Sequence, residues 1–218
     1  LHANEGGELS LNERFVLALS RGDEKSIRSL IFSIWMTGKS LAEIFDSLIA
    51  PSFSVIGHKW EKGELQVYEE RRACLIMERA FNDLRRLVGE VKDSAPRAAG
   101  CTLEGDPYTL ATGMCELTLR EMGWKAESLG SWEPINSIEA AIKDLDLRLF
   151  WVSVSTVIER AECIEIFRKL SKAAEENNCA LIVGGRGIQD AELRKDIEFS
   201  GYCDSMAQFA KLAKQFRD

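Results

Sequence analysis

Residues 147–154 read LRLFWVSV, a nearly continuous apolar run. Apolar side chains pointing both ways along a strand mean that both faces are covered, as in a parallel sheet flanked by helices. The neighbouring segments supply the expected cover. Before the run, residues 134–145 carry Ile135, Ile138 and Ile142 at helical spacing. After it, residues 157–176 form a long helical pattern with Ile164, Phe167 and Leu170, and residues 180–183 are a further strand stopped by Gly184 and Gly185. Further out, residues 98–105 (AAGCTLEG) are a strand ending in Gly105, residues 107–122 a helix with Leu110, Met114, Leu117 and Leu119, and residues 124–129 a strand. A short element around Tyr202 and a helix over 205–216 close the series. Strands alternating with helices require right-handed crossovers, so this half is expected to be a doubly wound parallel sheet of five strands.

The first half has a different period. Phe15, Val16 and Leu19 share one face of a helix over 11–20; Gly22 and Asp23 then read as a C-cap and an N-cap. Ile27, Leu30, Ile31, Ile34 and Trp35 follow at steps of three and four, up to Gly38. Ser40 and Glu43 form a capping box for a third helix with Ile44, Leu48, Val55, Ile56 and Trp60, in which Pro51 predicts a kink or break near Ala50. A fourth helix carries the stripe Val67, Cys74, Met77, Phe81, Leu84 and Val88, with Glu70 in its one polar slot. A carboxylate there needs a partner, Arg71 or Arg72, or a ligand pocket. The expected organisation is α/β overall: a tail over 1–9, a four-helix bundle over 10–90, a linker over 91–97 marked by Asp93, Ser94 and Pro96, and the sheet domain over 98–218.

Composition removes several function classes. The formal net charge is −7, which argues against this stretch gripping nucleic-acid phosphates. No apolar run approaches membrane-span length and no signal-peptide core opens the chain. The six cysteines show no C-x-x-C spacing and read as reduced core residues of a cytoplasmic protein. Of two histidines, His2 lies in the polar tail and His58 in the helical half, so neither a two-histidine mechanism nor a Ser-His-Asp or Cys-His set can be assembled. The chain begins with Leu1, not Met, and is expected to be part of a longer protein.

In doubly wound sheets ligands sit beyond the carboxyl ends of the strands. That selects residues 104–111, 153–157 and 184–187. The first of these loops, EGDPYTLATG, lacks the G-x-G-x-x-G pattern that cradles a dinucleotide pyrophosphate, and there is no P-loop.

A four-helix bundle followed by a flavodoxin-like domain resembles the cobalamin-binding module of corrinoid methyl carriers, methionine synthase and MerR-type light- or cobalamin-responsive transcription regulators. In the bundle, Trp60 and Glu70 match the Trp and Glu of the regulators' W-x9-E-H signature, and Arg71 stands at its His. The resemblance implies that Trp60 and Glu70 cover the upper face of the corrin. In the second half the resembled signature is D-x-H-x-x-G, S-x-L and G-G. Asp106 matches the Asp, but Tyr108 replaces the cobalt-ligating His and Ala111 the Gly. Ser153 matches the Ser, Ser155 replaces the Leu, and Gly184 and Gly185 match the pair past which the cofactor's nucleotide tail runs.

A phenol must lose a proton of pKa about 10 before it can ligate cobalt as an anion, so Tyr108 is a poor substitute for imidazole. Cobalamin is therefore expected base-on, with its own base on cobalt, or not at all. Haem, carried by related sensor domains, would need His58 as its axial ligand, although that residue lies roughly opposite Trp60 around the helix. Trp60 is either core or pocket wall. Ser153, Gly184 and Gly185 are either ligand contacts or backbone-shape residues. The leading expectation is a non-enzymatic sensory domain of a bacterial transcription regulator that self-associates, with DNA contacted only through a segment upstream of Leu1. A corrinoid methyl carrier and a ligand-free interaction module are the alternatives.

Overall fold

The computed structural model describes residues 9–156 and 159–217. His2, most of the tail and the expected helix start at Val157 lie outside the described residues. The chain forms two compact units, Leu1–Asn82 and Asp83–Asp218. The second unit thus takes in the last residues of the fourth helix together with residues 91–97.

The first unit is helical. In α1 (Leu11–Arg21) the Ser10 hydroxyl accepts the Glu13 N–H and the Glu13 carboxylate accepts the Ser10 N–H, and Gly22 closes the helix at φ +73°. Asp23 caps α2 (Glu24–Trp35). The capping box of Ser40 and Glu43 opens α3 (Leu41–Ile44). A π-helical segment, Phe45–Ile49, joins it to α4 (Ala50–Glu61), and the Ala50 N–H reaches back to the Phe45 carbonyl. Pro51 has no N–H to give and its ring would crowd the preceding turn; the wider π turn accommodates it without ending the helix.

The helix expected as the fourth, α5 (Val67–Val88), differs in part from its expected stripe. Its buried line in this unit is Ala73, Ile76, Met77, Ala80 and Phe81, whereas Val67 is 52% exposed and Cys74 only half-buried. Phe81 meets Phe45 edge-on with centroids 5.6 Å apart.

The second unit is a five-stranded all-parallel sheet of order β2-β1-β3-β4-β5, the doubly wound arrangement read from residues 147–154. Its strands are β1 (Arg97–Leu103), β2 (Lys125–Glu133), β3 (Leu149–Ser153), β4 (Ala180–Gly184) and β5 (Gly201–Cys203). The helices α6 (Leu110–Glu121), α7 (Ile135–Asp144), α8 (Arg160–Glu176), α9 (Ala191–Asp196) and α10 (Met206–Gln215) complete it. Cys115 and Leu119 of α6 and Phe209 and Ala213 of α10 cover one face; Ile138 and Ile142 of α7 and Phe167 and Leu170 of α8 cover the other.

Three local differences from the sequence reading bear on the site. The strand expected over 124–129 runs on to Glu133 with register shifts against β1, at Gly130 (φ +95°) and Trp132 (φ +69°). A 3₁₀ turn (Arg186–Ile188) and the short α9 precede β5. The first crossover helix starts at Leu110 and not near Pro107, because Asp106 holds the intervening residues in a loop.

Candidate functional site

The strand order reverses between β1 and β3, so the loops leaving these strands diverge and open the crevice where doubly wound folds bind ligands. Asp106 spans that point. Its side chain is 1% exposed; Oδ1 accepts the Tyr108 N–H at 3.1 Å and Oδ2 the Ser155 N–H at 2.5 Å. The Asp106 carbonyl accepts the buried Thr102 hydroxyl at 2.6 Å, and Thr102 Oγ1 in turn accepts the Trp132 N–H at 3.2 Å. One carboxylate thereby ties the loop after β1 to the loop after β3.

Ser153 lies at the end of β3, in register with Thr102 on one side and Gly184 on the other. The Val154 N–H donates to the Gly184 carbonyl, and the Gly187 N–H to the Val154 carbonyl, both at 2.9 Å. Of the glycine pair, Gly184 thus accepts a backbone hydrogen bond, and both members are closely approached. A Cβ on Gly184 would stand 2.7 Å from the Cys203 carbonyl oxygen; one on Gly185, at φ +109°, would stand 2.2 Å from the Val154 carbonyl oxygen. Asp106, Tyr108, Ser153, Ser155, Gly184 and Gly185 thus come together as one loop cluster.

Beneath Ser153, on the same face of β3, lies Trp151. It was part of the run that identified the strand, but its role could not be read from periodicity. Trp151 pairs with Gly100 of β1, and a Cβ on Gly100 would fall 2.1 Å from the indole ring. Its Nε1–H donates to Thr112 Oγ1 of α6 at 2.8 Å, and its ring meets Phe209 of α10 edge-on at 6.2 Å. Thr112 Oγ1 also lies 3.1 Å from Ser128 Oγ of β2. The pairing of large Trp151 with small Gly100 is set by the strand register and carries no signal along the sequence. Further along α6, Glu116 is buried, accepts from Arg85 Nε and Nη2, each at 2.7 Å, and accepts the Ser128 N–H at 3.3 Å.

The other three expected site residues belong to the helical unit. Trp60, on the last turn of α4, is 43% exposed, so it is not a core side chain. Arg71 is exposed. Glu70 is half-buried, and its Oε1 accepts the Cys74 thiol at 3.5 Å. Neither arginine expected to pair with it does so. Arg72 donates to the Ser20 carbonyl at 2.7 Å instead, since side chains one and two residues apart on a helix point away from each other. Burial, reinforced by the Glu70 charge, pushes the Cys74 thiol up to about 12.

His58 lies at the surface with Nδ1 3.7 Å from Glu61. Among the described residues, no group of three or more His, Cys, Asp or Glu side chains is placed to hold a metal ion. Among them too, no helix is long and apolar enough to cross a membrane.

Residues 11–85 match the family model described as B12 binding domain. The chain is similar in fold to the monomethylamine corrinoid protein of Methanosarcina barkeri, at 15% identity with a TM-score of 0.75, covering 94% of this chain and 97% of that one. A cobalamin-binding protein from Desulfitobacterium hafniense DCB-2 aligns at 16% identity over 95% and 98% of the two chains, with a TM-score of 0.48. The methanol:cobalamin methyltransferase complex MtaBC of Methanosarcina barkeri aligns at 16% over 94% and 78%, with a TM-score of 0.47. The likeness of fold rests on the first of these alone. No curated protein matches the chain by sequence. The resemblance to the cobalamin-binding module stands, in its helical part through the B12-binding-domain match and in its whole course through the shared fold.

A corrinoid held through a protein imidazole, with its nucleotide tail inserted into the sheet domain, does not fit these residues. A partly exposed phenol stands at the position of the resembled imidazole, and the buried indole of Trp151, hydrogen-bonded to Thr112, fills the layer beneath Ser153.

Proposed function

We propose that this chain is a corrinoid-responsive regulatory module that takes the cofactor base-on, as a ligand, without using cobalt for catalysis. The observation that carries this reading is Trp60. A large aromatic side chain stands out of the core at the end of α4, within the segment that matches the B12 binding domain. An exposed Trp of this kind has apolar surface to bury against a flat ring. Glu70, held to Cys74, is the polar group at the matching position of the next helix. The net charge of −7 suits a sensing or self-associating part better than one that touches phosphate. In this reading the chain belongs to a transcription regulator, and its response is a change in self-association.

The test is direct. The purified chain, mixed with hydroxocobalamin, adenosylcobalamin or haem, is passed over a sizing column while its visible spectrum is followed. Co-elution of a base-on corrin band with a change in apparent mass is expected. A colourless protein whose mass never changes refutes the proposal and leaves the ligand-free interaction module.

One observation favours a second reading, the corrinoid methyl carrier: the fold shared along nearly the whole chain with a protein named as a monomethylamine corrinoid protein. Such a carrier serves a methyltransferase partner and must cycle its cobalt. Methyl transfer to and from the loaded chain would establish it in place of the regulatory reading.

A further inference from the structure

We infer that Trp151 is a specificity-determining plug: it keeps the nucleotide tail of a corrinoid out of the second unit, so that recognition is confined to the corrin ring. This rests on the corrinoid reading proposed above.

Side chains on one face of a strand recur every second residue, so Trp151 lies one step below Ser153, under the loop cluster. The indole spans the layer between sheet and helices. It lies against Gly100 of β1, meets Phe209 of α10 with its edge, and donates its N–H to Thr112 of α6. A second contact bridges the same two helices, from the Cys115 thiol to the Met206 sulfur at 4.0 Å. An indole and a dimethylbenzimidazole are both flat fused five- and six-membered rings. The Trp151 side chain therefore occupies a slot of the size and shape that the tail's base would need. Its N–H is satisfied where it lies, so swinging out would break a buried hydrogen bond and leave an apolar void. Above it, neither Gly184 nor Gly185 has room for a side chain, because the Cys203 and Val154 carbonyl oxygens stand where a Cβ would be.

Two measurements test the plug, one without any corrinoid. In the first, 5,6-dimethylbenzimidazole at millimolar concentration is added to the wild-type chain and to Trp151→Ala, and the melting temperature is followed. An apolar cavity of this kind takes up a matching aromatic guest. The variant's melting temperature should rise by several degrees and the wild type's should not move. In the second, hydroxocobalamin and cobinamide, which has no nucleotide base, are titrated against the wild type, Trp151→Ala and Tyr108→His/Trp151→Ala. The wild type should bind the two within about threefold of each other, while the double variant should prefer cobalamin by about tenfold or more.

The inference is overturned if Trp151→Ala takes up no benzimidazole. It is overturned equally if the wild type prefers cobalamin by tenfold with the base displaced from cobalt. If the wild type takes neither corrinoid, the functional proposal fails and the benzimidazole result alone decides the plug. If Trp151→Ala does not fold, Trp151→Leu, which keeps part of the volume, goes through both measurements.

Discussion

Both units bury large aromatic side chains, Phe15 and Phe45 in the helical unit and Trp124 and Trp151 in the α/β unit, and both leave a Trp exposed, Trp60 in the first and Trp132 in the second. They differ in how their motif residues are held. Asp106, Gly184 and Gly185 of the α/β unit are engaged by the chain's own backbone, whereas Trp60 and Arg71 of the helical unit are left facing outward. A motif can persist because the fold needs it, after any ligand it once served has lost its place. At Gly184 and Gly185 the close approach of neighbouring carbonyls gives glycine a reason of shape, whatever else these positions contact. On this view, substitutions in the α/β cluster should cost stability and those around Trp60 should cost ligand.

The largest expected effect is that of Trp151→Ala. It removes a buried indole packed on three elements together with its hydrogen bond to Thr112, for a loss of about 3–5 kcal/mol in urea unfolding. A loss under about 1 kcal/mol would mean that the slot is loosely filled and would break the comparison. Gly185→Ala comes next. Its Cβ would meet the Val154 carbonyl oxygen at 2.2 Å in a backbone conformation unfavourable to L residues, so unfolding should shift by about 2–3 kcal/mol. Asp106→Ala strands the N–H groups of Tyr108 and Ser155 and should cost about 1–3 kcal/mol, with Asp106→Asn recovering part of it.

Within ordinary buffers the thiols contribute less. Burial pushes Cys101 and Cys179 up to about 12, and Cys115 well above its usual value. In the unfolded chain these thiols ionise near pH 9. Their contribution to stability is therefore complete below that pH and lost as the pH rises from about 9 towards 12. Denaturation midpoints across pH 7–11 should stay level and then fall. Thiol-reactive dye should label these buried cysteines at pH 8 only after urea is added. Trp60→Ala should have the smallest effect on stability, within about 0.5 kcal/mol, while weakening corrinoid binding about tenfold. An unstable but ligand-competent Trp60 variant would reverse the contrast between the units.

Much of this was legible in the sequence, for identifiable reasons. The run at 147–154 signals a strand covered on both faces, and the capping pair Ser40 and Glu43 marks a helix start through its own hydrogen bonds. Periodicity failed where its basis failed. The six-residue α9 is too short to display a repeat. The stripe of α5 was counted on its large residues, whereas its buried line also includes the small Ala73 and Ala80. The start of α6 was placed near Pro107 because nothing local shows that the Asp106 carboxylate bonds to Ser155, forty-nine residues away.

Alternation and spacing, which are local properties, determined the class of each half and the candidate positions: Trp60, Glu70 and Arg71 in the bundle, and Asp106, Tyr108, Ser153, Ser155, Gly184 and Gly185 beyond the strands. What stands against those positions is a question of non-local approach, and only the tertiary structure decided it. Strand register set Trp151 over Gly100, a helix brought Thr112 to the indole N–H, and a neighbouring loop put a carbonyl where a Cβ of Gly185 would be. Filling a slot takes groups distant in sequence to meet at van der Waals distance, and no pattern along the chain encodes that meeting.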